Sequence, residues 1–299
     1  MNDPYKIKRS PLRYPGGKSR AMDFLFSDEN MPSVPIKEYR EPFLGGGSVA
    51  IAFTKRYPNI PVWVNDKYYN LYAFWKILQS RGPELHERIL GLRREYHTPE
   101  LARNLHEEVR FDILDQKDDF EIAWRFYVLN RCSFSGLTES STFSMLSSDG
   151  NWNENLINGL LLYSRLIHNW KITNVDYSEL FTNDEDTFLF LDPPYDLKKD
   201  YGLGGGNGER LYGRRGNMHQ GFDHVEFAKN CKAHKCMQMV TYNSNENIRK
   251  LFEGWTQTEW DLTYSMNNGH KRYEEAQKDR KELLCVNYDT APMTLEGFL

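Results

Sequence analysis

No stretch of this 299-residue chain approaches the roughly 20 consecutive apolar residues of a membrane-spanning helix. The opening "MNDPYKIKRSPLRYPGGK" is polar and has no apolar core of the kind that secretion signals carry. A soluble cytoplasmic protein with no membrane partner is therefore expected. Cysteine is scarce: Cys132, Cys231, Cys236 and Cys285 form no C-x-x-C, and the Cys231–His234–Cys236 spacing fits no common zinc pattern. Buried or free thiols are expected, and no metal. An excess of positive charge is also missing, since the net charge is −4, so global charge does not announce a nucleic-acid binder. Two phosphate-binding fingerprints are incomplete. "GGKS" (16–19) has Leu12 where a P-loop needs glycine, and "GGGS" (45–48) runs into Val49 and Ala50 instead of completing G-x-G-x-x-G. The second gap counts against a dinucleotide oxidoreductase.

What is present is enough for a large core. Hydrophobic residues make up 39% of the chain and aromatics 14%, which argues against wholesale disorder. The length is about twice the usual domain prior of ~150 residues. Strand patterns at 37–43, 61–66, 171–176, 187–192, 236–243 and 281–289 alternate with helical ones at 48–57, 68–80, 223–234 and 246–255. That alternation predicts an α/β fold with a mostly parallel sheet. Between Gly82 and Trp170 only helical patterns occur, broken by the Ser/Gly/Thr-rich "CSFSGLTESSTFSMLSSDG" (132–150). The expected organisation is a core part at 1–80, a helical insert at 81–170 and a second core part at 171–299.

Three strand ends carry unusual residues, and ligands of open α/β sheets bind at strand carboxyl ends. "EPFLGGGS" (41–48) is a glycine turn before a helix, which either simply links the two or lets a ligand approach the backbone. Asp66 closes "PVWVND" 21 positions after Gly45, placed either to cap the next helix or to accept from ribose hydroxyls. "LFLDPPYD" (189–196) ends an apolar run in an acid, two prolines and a tyrosine, and reads as a turn, a metal ligand or a catalytic strand end. The prolines remove two donors and stiffen the backbone. Two acceptors and an aromatic plane suit a planar group bearing an NH₂ better than they suit a metal. Lys6, Lys8, Arg9, Arg13, Lys18 and Arg20 against Asp3 make the N-terminus locally basic, and "YGLGGGNGERLYGRRGNMHQG" (201–221) is a second basic stretch. Either can be plain surface.

"YPGGK" (14–18), "EPFLGGG" (41–47), "VNDKYYNLY" (64–72), "NRCSFSGL" (130–137) and "DPPY" (192–195), in this order, resemble the motifs of the Dam-type, or D12 class, DNA adenine-N6 methyltransferases. The resemblance covers nearly the whole chain. It implies a Rossmann-like S-adenosylmethionine-dependent methyltransferase core with an inserted helical DNA-recognition module. It implies S-adenosylmethionine as methyl donor, held by Tyr14, Pro15 and Lys18, with Phe43, Gly45 and Gly47 along its methionine part and Asp66 on its ribose. Asp192, Pro193, Pro194 and Tyr195 become the catalytic set, with Asp192 also facing the cofactor. Arg13, Asn130, Arg131 and Ser135, with Arg210, Arg214 and Arg215, become DNA contacts. The implied activity is methyl transfer to N6 of adenine in a specific duplex sequence, on a flipped base. Double-stranded DNA is the partner, the enzyme is expected as a monomer, and a cognate restriction endonuclease is the companion such an enzyme can have. Members that read GATC carry a basic residue and an Asn after "NGL"; here "SGL" precedes "TESSTFS", so no target sequence is implied. The rival readings are an RNA adenine or protein amide methyltransferase, and a catalytically inactive DNA-binding module.

Overall fold

The computed structural model describes residues 10–14, 16–136, 138, 142–196, 221–261 and 281–290. Among these, seven strands form one sheet: β1 (Glu38–Glu41), β2 (Val62–Asn65), β3 (Lys171–Thr173), β4 (Thr187–Leu191), β5 (Met237–Asn243), β6 (Thr256–Asp261) and β7 (Lys281–Val286). Their spatial order is β3-β2-β1-β4-β5-β7-β6. The first five in that order run parallel, and β7 is antiparallel to both β5 and β6. The chain moves outward from β1 through β2 to β3, then returns to β4 on the other side of β1. The order therefore reverses between β1 and β4, and the crevice at such a reversal is where open α/β sheets receive ligands.

β4 is buried along its whole length, as its unbroken "TFLFL" requires of a strand covered on both faces. Its side chains alternate between two cores. Phe188 and Phe190 join Tyr39, Phe53, Met237, Met239 and Leu284 on one face. Leu189 and Leu191 join Val240, Tyr242, Phe227, Ile248 and Phe252 on the other. The first face is covered by α2 (Ser48–Arg56) and α3 (Tyr69–Ser80), the second by α9 (His224–Ala233) and α10 (Glu246–Leu251). A short α1 (Met22–Leu25) precedes β1.

The stretch expected to be helical holds α4 (Gly82–Glu95), α5 (Pro99–Asp112), α6 (Asp119–Cys132), α7 (Met145–Asn151) and α8 (Glu154–Leu166). Local chemistry sets their starts: the side chains of Thr98, Asp118, Ser144 and Asn153 accept backbone N–H groups of the first turns of α5, α6, α7 and α8. These helices share the core of α3, where Phe74 stacks on Tyr127 of α6 at 5.9 Å between ring centroids.

Two expectations are corrected, and one strand is new. The strand expected at 171–176 ends at Thr173, because the Val175 N–H bonds the Asn65 side chain (2.9 Å) instead of a neighbouring strand. The helix expected at 246–255 stops at Leu251, ahead of Gly254 at φ 90°. β6 has no counterpart in the sequence reading. "TQTEWD" is an edge strand that buries only Trp260, so it lacks an apolar run and exists by pairing with β7. Among the described residues no helix is long and apolar enough to cross a membrane.

Candidate active site

The carboxyl ends of β1, β2 and β4 converge. After β1 the chain makes the Phe43–Gly47 turn, held by Leu44 N–H on the Asn65 carbonyl (2.9 Å). Gly45 and Gly47 have φ of 51° and 68°, which only glycine adopts readily, and Gly47 leads directly into α2. The turn also has no room for side chains. A Cβ on Gly45 would stand 2.7 Å from the Tyr14 ring, and one on Gly47 would stand 2.7 Å from the Trp75 ring. Trp75 Nε1 donates to the Gly45 carbonyl (3.1 Å), fixing the turn from beneath.

Asp66 accepts the Gly45 N–H on Oδ2 (2.8 Å) and the Tyr68 N–H on Oδ1 (2.9 Å). It thus ties the glycine turn to the entry of α3, whose N-cap is Tyr68 and whose first turn takes no side-chain cap, so the expected capping role is not what Asp66 serves. Burial pushes its carboxyl up to about 6, against the lowering effect of those two N–H groups. Glu41, at the end of β1, is buried and accepts the Tyr39 hydroxyl (2.5 Å). Burial holds its carboxyl well above the usual range, and the nearby Asp192 and Asp66 add to that. Phe43 stacks on Tyr177 at 5.4 Å and meets Phe222 and Phe227 edge-on, forming an aromatic cluster beside the turn.

At the end of β4, Asp192 receives Lys18 Nζ on both carboxylate oxygens, at 2.8 Å each, and the Thr241 hydroxyl on Oδ1 at 2.8 Å. Lys18 is 2% exposed and Asp192 23% exposed, so the ammonium is enclosed while the carboxylate keeps an open side. Lys18 also donates to the Gly16 carbonyl (3.2 Å) and lies 5.1 Å from the Tyr195 ring centroid. Pro193 is buried, and Pro194 and Tyr195 are half-buried. The Tyr195 hydroxyl donates to Glu282 of β7, a buried carboxylate. Lys18 therefore brings the N-terminal segment to the Asp192–Tyr195 strand end. Among the described residues no cluster of three His, Cys, Asp or Glu is arranged to hold a metal.

The model of the D12 class N6 adenine-specific DNA methyltransferase family matches residues 14–266. The chain belongs to that family. It is a DNA adenine methyltransferase, and its class implies an S-adenosylmethionine-type methyl donor and a DNA substrate. It is similar to the Type II methyltransferase M.MjaIII of Methanocaldococcus jannaschii, 27% identical over 62% of this chain and 68% of that protein. It is also similar to the Type II methyltransferase M.CviBI of Paramecium bursaria Chlorella virus NC1A, 22% identical over 85% of this chain and 90% of that protein.

The residues expected on the DNA side of this methyltransferase fall differently. Asn130 (0% exposed) and Arg131 (4%) are buried, which corrects their expected place at a DNA surface. α6 is enclosed on nearly every side, so the polar residues of its last turn find partners inside the protein. Arg13 is half-buried, and its guanidinium donates to the Ser133 carbonyl (3.0 Å). The side chain of Ser135, and Pro15, Arg210, Arg214 and Arg215 altogether, lie outside the described residues. The loop after α6 is closed by a bridge between Ser133 and Phe143 and by His106 Nε2 on the Ser133 hydroxyl (2.9 Å). Burial, with Arg110 nearby, takes that imidazole down to about 4, so it is neutral at pH 7. Phe134 remains exposed on this loop, as do Met145 and Leu146 at the start of α7.

Sequence reasoning passes over Thr241, Glu282 and Tyr177. Each reaches the site from a different strand or the turn after one, and nothing in its immediate sequence marks it. Only the sheet register brings Thr241 beside Asp192 and Glu282 beside Tyr195.

Proposed function

We propose that this methyltransferase moves the methyl group of S-adenosylmethionine to N6 of an adenine turned out of a specific duplex DNA sequence. The observation that carries this reading is the meeting of two strand ends at the reversal of the sheet. The Asp192–Tyr195 end and the Gly45–Gly47 turn follow adjacent parallel strands there, with Lys18 on Asp192 and Tyr14 of the same segment against the turn.

The side chains around the turn fit the donor. The Asp66 carboxylate has lone pairs beyond those its two N–H partners use, and these suit the hydroxyls of a ribose. Tyr177, stacked on Phe43, adds an aromatic wall beside the methionine part assigned to Phe43, Gly45 and Gly47. Tyr14, Lys18, Phe43, Gly45, Gly47, Asp66 and Tyr177 are the residues assigned to hold it, with Pro15 by resemblance alone. Bound there, S-adenosylmethionine supplies a methyl group on a sulfonium, whose departure leaves a neutral thioether.

The chain's own work lies in the acceptors. The adenine N6 lone pair is delocalised into the ring, so the amino group is a poor nucleophile. Asp192 and the Pro193 carbonyl accept its two N–H bonds, draw the nitrogen toward tetrahedral geometry and stabilise the positive charge that develops there. Lys18 and Thr241 fix the carboxylate, and Oδ2, which Thr241 does not use, is the oxygen left to the substrate. Tyr195, anchored on Glu282, stacks on the base. Acceptors preplaced in this way need no rearrangement as charge develops. A stacked base is out of reach of such a pocket, so the adenine is flipped at a cost of a few kcal/mol.

Residues 81–170 serve as the recognition module in this reading. Phe134, Met145 and Leu146 present apolar groups of the kind that enter between base steps. Arg210, Arg214 and Arg215 contact phosphates, which position DNA without reading it. The Type II names of both relatives support a place beside a cognate restriction endonuclease. Modified-base sequencing of DNA from cells expressing the protein tests the whole reading. N6-methyladenine at one recurring sequence is expected. Methylation of RNA alone, or of adenines sharing no sequence, contradicts it.

A further inference from the structure

The two polar side chains buried at the end of α6 are spent on the main chain of the N-terminal segment. Asn130 Oδ1 accepts the Arg13 N–H (2.9 Å), and Asn130 Nδ2 donates to the Arg13 carbonyl (2.7 Å) and the Gly136 carbonyl (3.2 Å). One amide thus satisfies both main-chain groups of Arg13, as a neighbouring β-strand would. Arg131 donates to the Pro11 carbonyl, and the Arg13 guanidinium returns a bond to the Ser133 carbonyl (3.0 Å). Gly136, at φ 76°, lies so close that a Cβ there would fall on the Arg13 carbonyl oxygen. On either side of this clasp the same segment reaches the core. The Ser10 hydroxyl donates to the Gly46 carbonyl, the Tyr14 ring covers Gly45 and Gly46, and Lys18 pairs with Asp192.

We propose that Asn130 is a positioning residue for cofactor binding. It clasps residues 10–14 to the helical insert and so holds Tyr14 over the glycine turn and Lys18 on Asp192. The described part of residues 10–18 has no helix or strand to hold it. Ordering it only when the cofactor arrives would subtract that entropy from the binding free energy. The clasp orders it beforehand, and it fastens the cofactor seat to the element assigned to DNA. A DNA contact is the other role that the position in "NRCSFSGL" invites, but a side chain 0% exposed with its amide committed on both ends has nothing left to offer a phosphate or a base.

This rests on the cofactor seat proposed above, and the test separates the two. Full-length Asn130→Ala, Gly136→Ala and Tyr14→Ala variants are titrated with S-adenosylmethionine by calorimetry and with a mixed-sequence duplex by anisotropy. Asn130→Ala is expected to weaken cofactor binding about tenfold, the effect of losing a buried pair of hydrogen bonds. It raises KM for the cofactor more than it lowers kcat, and leaves duplex affinity within about twofold. Combined with Tyr14→Ala it adds less than its single effect, because both act through one ring. Gly136→Ala pushes the segment from the loop side with Asn130 intact and gives the same pattern, so a poorly folded Asn130→Ala does not end the test. The proposal is overturned if Asn130→Ala and Gly136→Ala keep wild-type cofactor affinity while Tyr14→Ala loses it. It is overturned equally if Asn130→Ala loses duplex affinity and keeps the cofactor. Unchanged affinity in Tyr14→Ala removes the cofactor seat itself, and this inference falls with its premise.

Discussion

Lys18 is an ammonium with almost no solvent, and its charge is tolerable because Asp192 meets it with both oxygens. Removing one member of such a pair strands the other, which destabilises by about 3 kcal/mol or more. Asp192→Ala is therefore expected to lower folding stability by about 3 kcal/mol in denaturant titration as well as to abolish methyl transfer. Adding Lys18→Met to it should restore most of the stability and none of the activity. A single variant as stable as the parent would mean that Lys18 finds another partner. Asp66 carries a different consequence. Burial holds its carboxyl at about 6, above the roughly 3.9 of a free aspartate, so the folded chain binds this proton more tightly than the unfolded one. Its contribution favours folding most below about pH 4 and is lost as pH rises through 6. Cofactor binding runs the opposite way, because ribose hydroxyls donate best to the ionised form. Affinity for S-adenosylmethionine should fall as pH drops through about 6, and in Asp66→Asn that dependence should vanish. Calorimetry from pH 5 to 8 decides it.

At the scale of elements, the antiparallel β7 inserted between β5 and β6 supplies what the parallel strands do not. Its Glu282 stands opposite Asn243 at the carboxyl end of β5, and from there its carboxylate takes the Tyr195 hydroxyl. Tyr195→Phe keeps the aromatic face but loses the anchor. It is expected to lower the single-turnover rate about tenfold, the scale of one hydrogen bond to a charged group, with cofactor affinity unchanged. Glu282→Gln, which keeps an acceptor, should be milder, and equal rates in all three proteins would reduce the contact to packing. The motifs themselves are readable from sequence because their causes are local. Glycines at positive φ mark the Gly45–Gly47 turn, capping side chains mark the helix starts, and prolines follow the end of β4. Glu282, Thr241 and β6 are not readable, because sheet register and edge pairing create them and neither leaves a short-range pattern. Asn130 and Arg131 mislead for a related reason. The motif "NRCSFSGL" places them on the DNA side by resemblance, but α6 is enclosed on nearly every side, and that enclosure belongs to the neighbouring helices.

For the whole molecule, a net charge of −4 must be reconciled with a polyanionic substrate. The sheet reversal solves half of this, by placing the site in a crevice whose acids are either paired, as Asp192 is with Lys18, or pushed toward protonation by burial, as Glu41 is. The rest falls to local basic stretches, of which "ERLYGRR" (209–215) lies outside the described residues. The central claim is that the Asp192–Tyr195 strand end performs transfer to adenine N6. The most direct measurement incubates wild type and Asp192→Ala with duplex DNA and S-adenosylmethionine carrying a labelled methyl group, followed by nucleoside mass spectrometry. Wild type should give labelled N6-methyladenine and Asp192→Ala less than about a hundredth as much, the loss expected when a preplaced acceptor worth about 3 kcal/mol is removed. Label on another base, or an Asp192→Ala yield within a few-fold of wild type, would contradict it.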